Sequence, residues 1–307
     1  MASKYKITHY YHSGFSIESE DLLFVFDYWR GENRELKGHR QILPDQLAGY
    51  RKVFVFISHE HIDHLDPVVF SWKDYTSVSY IVSSDMPVGT RGKRMAPGDR
   101  LELEPGIFVT AFDSTDLGVS YLLDLNGRHF FHAGDLNFWH WREESSLKEI
   151  EEAEREFIAA VKPLSRESID VAFFPVDPRQ GTMFEAGANY FILQAKPRLM
   201  IPMHYFHRTE IILDYARTAS SRTTEVLAMP GIMDSILLEF DEEGFMNISF
   251  PKEIPPSDED NSDELDNIAG DNPFSESDLP LSQLAEGEKE EKGGEPSSDQ
   301  DYSPFST

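Results

Sequence analysis

The chain has 307 residues, 40% of them hydrophobic, no cysteine and a formal net charge of −27. Without cysteine there is no disulfide framework and no thiolate metal site, so a transition metal would have to be held by His, Asp and Glu. The acidic balance argues against nucleic-acid binding by phosphate neutralisation, and no apolar run approaches the roughly 18 residues needed to cross a membrane.

The first residues, Met1-Ala2-Ser3-Lys4-Tyr5-Lys6, turn polar and aromatic at once. They lack the apolar stretch of a secretory signal, so a cytoplasmic location is expected. The first half then reads as strands. Ile7–Tyr11, Gly14–Glu18 and Leu22–Asp27 form a meander, and Lys52–Ile57 carries Val-Phe-Val-Phe-Ile, a run of the kind buried on both faces. Val78–Ser83, Arg100–Leu103, Ile107–Ala111, Val119–Leu125 and His129–His132 continue the pattern, with Asn126-Gly127 as a hairpin turn. Arg142–Val161 is the clearest amphipathic helix. Val171–Val176 returns to strand, Phe184–Gln194 and Glu210–Ala216 read as helices, and Leu199–Pro202, Ile236–Phe240 and Met246–Phe250 as closing strands. This alternation predicts an α/β sandwich of two sheets with helices outside, over residues 1–255.

Residues 256–307 differ in kind. They hold 16 Asp and Glu against 2 Lys, about half of the whole net charge, with Gly, Pro and Ser between. Such a composition cannot bury enough apolar surface to offset its ordering entropy, so a disordered acidic tail is expected, its partner unknown. Its one short motif, Asn272-Pro273-Phe274, is of a kind that also arises by chance.

The chemistry concentrates after the buried strand at 52–57. In Ser58-His59-Glu60-His61-Ile62-Asp63-His64, three imidazoles and the Asp63 carboxylate fall within six residues. His59 and His61, two apart, can be aimed at one ion by an extended or tightly turned backbone, while Asp63 and His64 follow the turn and can serve another. A solvated loop that merely happens to be rich in His is the bland alternative. Against it stand three more apolar strands that each end in a metal-type ligand: Phe24-Val25-Phe26-Asp27, Phe130-Phe131-His132-Ala133-Gly134-Asp135 and Leu199-Met200-Ile201-Pro202-Met203-His204. A single strand ending in Asp is usually just a turn; the set together defines a site at one edge of the sheets.

The order Asp27, His59-x-His61-x-Asp63-His64, Gly134-Asp135, His204 resembles the metallo-β-lactamase superfamily over about residues 5–250. The opening Tyr10-Tyr11-His12-Ser13-Gly14-Phe15 is similar to the branch that includes ascorbate-phosphate lactonases and many metal-dependent hydrolases. The resemblance implies a four-layer αββα sandwich and one or two divalent ions, zinc first, with manganese or iron as alternatives. It implies His59 and His61 on the first ion, Asp63, His64 and His204 on the second, Asp135 between them, and Asp27 orienting ligands. The family usually supplies a third first-ion histidine before the Gly-Asp element, and here no histidine lies between His64 and His129. Asp116 is the expected replacement and Asp113 the next candidate; the other reading is a substrate loop beside a weak or empty first site. A carboxylate there would shift preference from zinc toward manganese or iron.

Around this core, His132 is a candidate to line the site and Trp139, in Asn137-Phe138-Trp139-His140-Trp141, a candidate pocket wall. Arg179 can neutralise a substrate carboxylate or phosphate, or simply pair with Asp177. The function expected is hydrolysis of an ester, lactone, amide or phosphodiester in a small molecule by a metal-activated water, with Asp63 as candidate proton acceptor. The alternatives are a catalytically weak metal-binding interaction module and an iron oxidoreductase.

Overall fold

The computed structural model describes residues 2–251; the acidic segment 256–307 and Asn272-Pro273-Phe274 lie outside the described residues. The strands in chain order are β1 (Ser3–His9), β2 (Phe15–Ser19), β3 (Leu22–Phe26), β4 (Lys52–Ile57), β5 (Val78–Ser83), β6 (Lys93–Met95), β7 (Arg100–Glu104) and β8 (Ile107–Phe112). They continue with β9 (Ser120–Leu125), β10 (Arg128–His132), β11 (Val171–Pro175), β12 (Leu199–Met203), β13 (Glu225–Val226), β14 (Ser235–Phe240) and β15 (Met246–Ser249). One sheet runs β15-β14-β1-β2-β3-β4-β5-β6 and the other β13-β12-β11-β10-β9-β8-β7.

Residue alternation decides how the sheets stack. In β3 and β4, Phe24, Phe26, Phe54 and Phe56 face one way and join Tyr121, Phe130 and Phe173 of the other sheet in the central core. Their neighbours Leu23, Val25, Val53, Val55 and Ile57 face the opposite way and pack on Leu47 of helix α1 (Pro44–Ala48) and on Val69 and Trp72 of a 3-10 turn. The outer face of the second sheet is covered by α2 (Leu147–Val161), α3 (Ala186–Ala195) and α4 (Thr209–Ala219), which bury Phe157, Phe191 and Ile212. Both sheets are thus covered on both faces, which is the expected αββα sandwich.

Several boundaries differ from the sequence reading. Helix α2 starts at Leu147 rather than Arg142, because Ser146 and Glu149 form a reciprocal capping box that fixes its first turn. The first strand ends at His9; Tyr10 and Tyr11 belong to a tight turn closed by hydrogen bonds from the Tyr10 amide to Gly14 O and from the Gly14 amide to Tyr11 O. Short α1, β6 and β13 carry too few residues for a periodicity to register. Among the described residues no helix is long and apolar enough to cross a membrane.

Parallel pairing positions the site. β3 and β4 are parallel, as are β10, β11 and β12. Their carboxyl ends therefore emerge on common edges, and the residues just past those ends are Asp27, Ser58-His59, Ala133-Gly134-Asp135, Asp177 and His204.

Candidate metal centre

Asp27 leaves β3 in a left-handed conformation, φ 42°. This turns its buried carboxylate back onto the next strand: Oδ1 accepts from the Ser58 amide at 2.8 Å and Oδ2 from Ser58 Oγ at 2.6 Å and from His64 Nδ1 at 2.8 Å. Ser58 Oγ, its proton committed to Asp27, accepts from His59 Nδ1 at 2.8 Å. In the other sheet, buried Asp177 accepts from His204 Nδ1 at 2.9 Å. Three imidazoles are thereby fixed in one tautomer, Nδ1 bearing the proton, so each Nε2 lone pair is left for something else.

Those lone pairs meet at Asp135. His64 Nε2 lies 3.0 Å and His204 Nε2 3.3 Å from Oδ1, and His59 Nε2 lies 3.3 Å from Oδ2. None of these contacts is aligned as a hydrogen bond: His59 Nε2, His64 Nε2, His204 Nε2 and Asp135 Oδ1 are buried without a partner. Unpaired buried polar atoms are costly and rare. Four of them converging, all nitrogen or carboxylate oxygen, fit a divalent cation. Gly134 allows the approach; it has φ 54°, and a Cβ there would come within 2.9 Å of the Ser58 side chain.

The charge balance agrees. Burial opposes ionisation of Asp135, yet His64 and His204 hold its pKa well below the carboxylate range. Burial likewise disfavours an imidazolium at His64, but Asp135 and Asp27 outweigh it and raise that pKa well above the ordinary value. Buried His64 and Asp135 thus each favour the other's charged form.

His61, Asp116 and Asp135 offer donor atoms within 4.8 Å of one another, as do His59, His64 and Asp135. Asp113 joins neither group and accepts from the Ser114 amide instead, so of the two candidate carboxylates the fold brings Asp116 to the site. Its loop is held by Gly118, whose amide donates to Asp85 Oδ2 at 2.7 Å and whose missing Cβ would collide with Ser58 O. Asp63, partly buried, falls in a third group with His12, His64 and His204.

His132, proposed to line the site, has both nitrogens occupied: Nε2 donates to Ser13 O at 2.9 Å and Nδ1 accepts from the Gly134 amide at 3.2 Å. It braces the turn before Asp135. Trp139 does similar work; its Nε1 donates to Asp135 O at 2.8 Å and its ring meets His204 edge-on at 5.6 Å. Arg179 pairs with Asp177 at 2.6 Å, as one of its two expected readings had it, and lines a cleft of about 410 Å³.

That cleft is bounded by Tyr11, Trp29, Phe206 and His207. His12 connects it to the metal donors, its ring 4.1 Å from Phe206 and 4.0 Å from His204. Two participants had escaped a specific assignment in the sequence. His12 stood only as part of an aromatic opening turn, and Asp177 only as a partner for Arg179. The signal for Asp177 was a third buried parallel strand ending in a carboxylate.

The profile of a family described as Beta-lactamase superfamily domain matches residues 25–205, and the chain belongs to that superfamily. It is 23% identical over 218 residues to a UPF0173 metal-dependent hydrolase of Carboxydothermus hydrogenoformans, covering 65% of this chain and 84% of the relative. A relative of the same name from Opitutus terrae is 23% identical over 235 residues, covering 70% and 91%. Among solved structures, the metallo hydrolase Igni18 of the archaeon Ignicoccus hospitalis shares the fold, with a TM-score of 0.58 at 18% identity over 78% of this chain and 100% of that one.

Proposed function

We propose that the chain hydrolyses an ester, lactone, amide or phosphodiester bond in a small molecule, using one or two divalent ions. His59, His61 and Asp116 would hold the first, Asp63, His64 and His204 the second, and Asp135 both. The observation that carries this reading is the convergence of four buried, unpartnered donor atoms on Asp135 and the three Nε2 positions. Imidazole with carboxylate suits zinc, manganese or iron, and the carboxylate at 116 favours the harder ions. A bound ion supplies a water ionised near neutral pH and an electrophile for the scissile oxygen.

The remaining work falls to the chain. Asp63 is opposed by burial but held below the carboxylate range by His12 and His64. It therefore stays ionised, and serves better to align a water through a hydrogen bond than to store its proton. Arg179, half exposed and stacked 4.6 Å from Phe206, offers its guanidinium to an anionic group of the substrate. The cleft beside it falls within the usual range for small-molecule sites, roughly 300–1,000 Å³.

The test is metal content of the purified chain by elemental mass spectrometry, followed by turnover of generic esters, lactones, amides and phosphodiesters with the metal found. Turnover abolished by chelation and restored by that metal supports the reading. Stoichiometric metal with no turnover on any class favours the interaction-module alternative, and no metal at all defeats both.

A further inference from the structure

We propose that His12 is a ligand of the second ion, completing with Asp63, His64 and His204 the more enclosed of the two sites. This rests on the metal-binding reading above and adds a donor that the strand-end motifs do not contain.

His12 lies in the turn between β1 and β2, some fifty residues before the histidine-rich loop. Its ring is fully buried, and among the described residues neither nitrogen has a hydrogen-bond partner. Nε2 sits 3.3 Å from Asp63 Oδ2 without hydrogen-bond alignment. Donor atoms of His12, Asp63, His64 and His204 lie within 4.8 Å of one another. A phenylalanine would fill the same space under Phe206 and Trp29 without leaving two polar atoms unmatched.

The backbone is committed as well. His12 has φ 55°, a conformation uncommon for a residue with a side chain. The turn that imposes it is closed by the Tyr10–Gly14 hydrogen bonds, and His12 O accepts from the His204 amide at 3.3 Å. The two imidazoles are therefore joined through their main chains, with ring centroids 4.0 Å apart.

The donor count explains what this accomplishes. The first site lacks its third imidazole and relies on half-exposed His61 and exposed Asp116. The second gains an imidazole and is deeply enclosed. With Asp135 shared, the second ion would have five chain donors and the first four, and two of those four, His61 and Asp116, are not buried. An ion held by His59, His61, Asp116 and Asp135 would be the more accessible of the two to water and substrate.

The experiment measures metal per chain and its retention against graded chelator for the wild type, His12→Asn and His12→Gln. Asparagine tolerates the left-handed turn but cannot reach the site; glutamine can still hydrogen-bond to Asp63. Both variants are expected to keep one ion and to hold the other more weakly, by more than the roughly 10–100-fold typical of losing an orienting neighbour. Two ions held at wild-type strength in His12→Asn overturn the proposal while leaving the metal-binding reading intact. Full rescue by His12→Gln overturns it too, by making His12 a positioning residue. A wild type that binds no metal overturns both. Should His12→Asn fail to fold, judged by circular dichroism of the metal-free chain, the Co(II)-loaded wild type decides: hyperfine-shifted proton resonances from the His12 ring are expected, and a ring at ordinary shifts overturns the proposal.

Discussion

The two halves of the metal centre are built on different terms. His59, His64 and His204 are buried, and each has its Nδ1 proton engaged by Ser58, Asp27 or Asp177. His61 and Asp116 sit on loops near the surface; among the described residues the His61 imidazole has no comparable anchor, and Asp116 accepts from the Leu117 amide. The difference teaches that a site can be rigid on one side and adjustable on the other. The buried side fixes where an ion goes; the exposed side leaves room for exchange and for substrate.

Removing the group common to both halves tests this most severely. Asp135→Asn is expected to lose both ions and to lower kcat/KM by about three orders of magnitude or more, the scale on which members of a catalytic unit act, read by metal analysis and steady-state kinetics. Retention of two ions would make the centre something other than a shared-carboxylate site. Next comes the anchored side: Asp177→Ala frees the His204 ring and should weaken metal affinity by roughly 10–100-fold, measured by chelator competition, with the second ion affected first. On the exposed side, Asp116→Ala should lower occupancy at one ion only, and unchanged stoichiometry in that variant would remove Asp116 from the ligand set.

The smallest effect expected is on pH. Because Asp135 and Asp27 raise the His64 pKa in the metal-free chain, metal must displace a proton there. Apparent affinity should fall as pH is lowered, and metal addition in weak buffer should release protons. The linkage has a definite sign: the raised pKa stabilises the metal-free fold fully below the unfolded value, and that contribution is lost as pH rises through the folded one. Thermal melts of metal-free and metal-loaded chain across this range should diverge as pH increases.

Much of this centre is legible along the chain because each strand-end ligand advertises itself locally. Val-Phe-Val-Phe-Ile before the histidine loop, Phe130-Phe131 before Gly134-Asp135, and the apolar run before His204 all couple burial to a ligand at the exit. Asking which group could stand in for a missing imidazole points to Asp116, which the fold brings near His61 and Asp135. His12 was not, because its role comes from a main-chain bond to a residue 192 positions later and a turn conformation that no periodicity encodes. For Trp139 the sequence suggests a pocket wall, and the fold adds a hydrogen bond to Asp135 O that no local pattern encodes. The start of α2 is set by Ser146 and Glu149, a capping signal present in the sequence that apolar periodicity alone does not register.

The hydrogen bond between the His204 amide and His12 O also sets a timetable. During synthesis the histidine-rich loop leaves the ribosome well before β12 exists. At roughly 5–20 residues per second, the chain between His64 and His204 takes on the order of 7–28 s to make. Through that interval the loop is an unfinished chelator exposed to whatever ions are free, and only the arrival of β12 brings the opening turn down over it. The donor set is therefore complete only once β12 and His204 have been made.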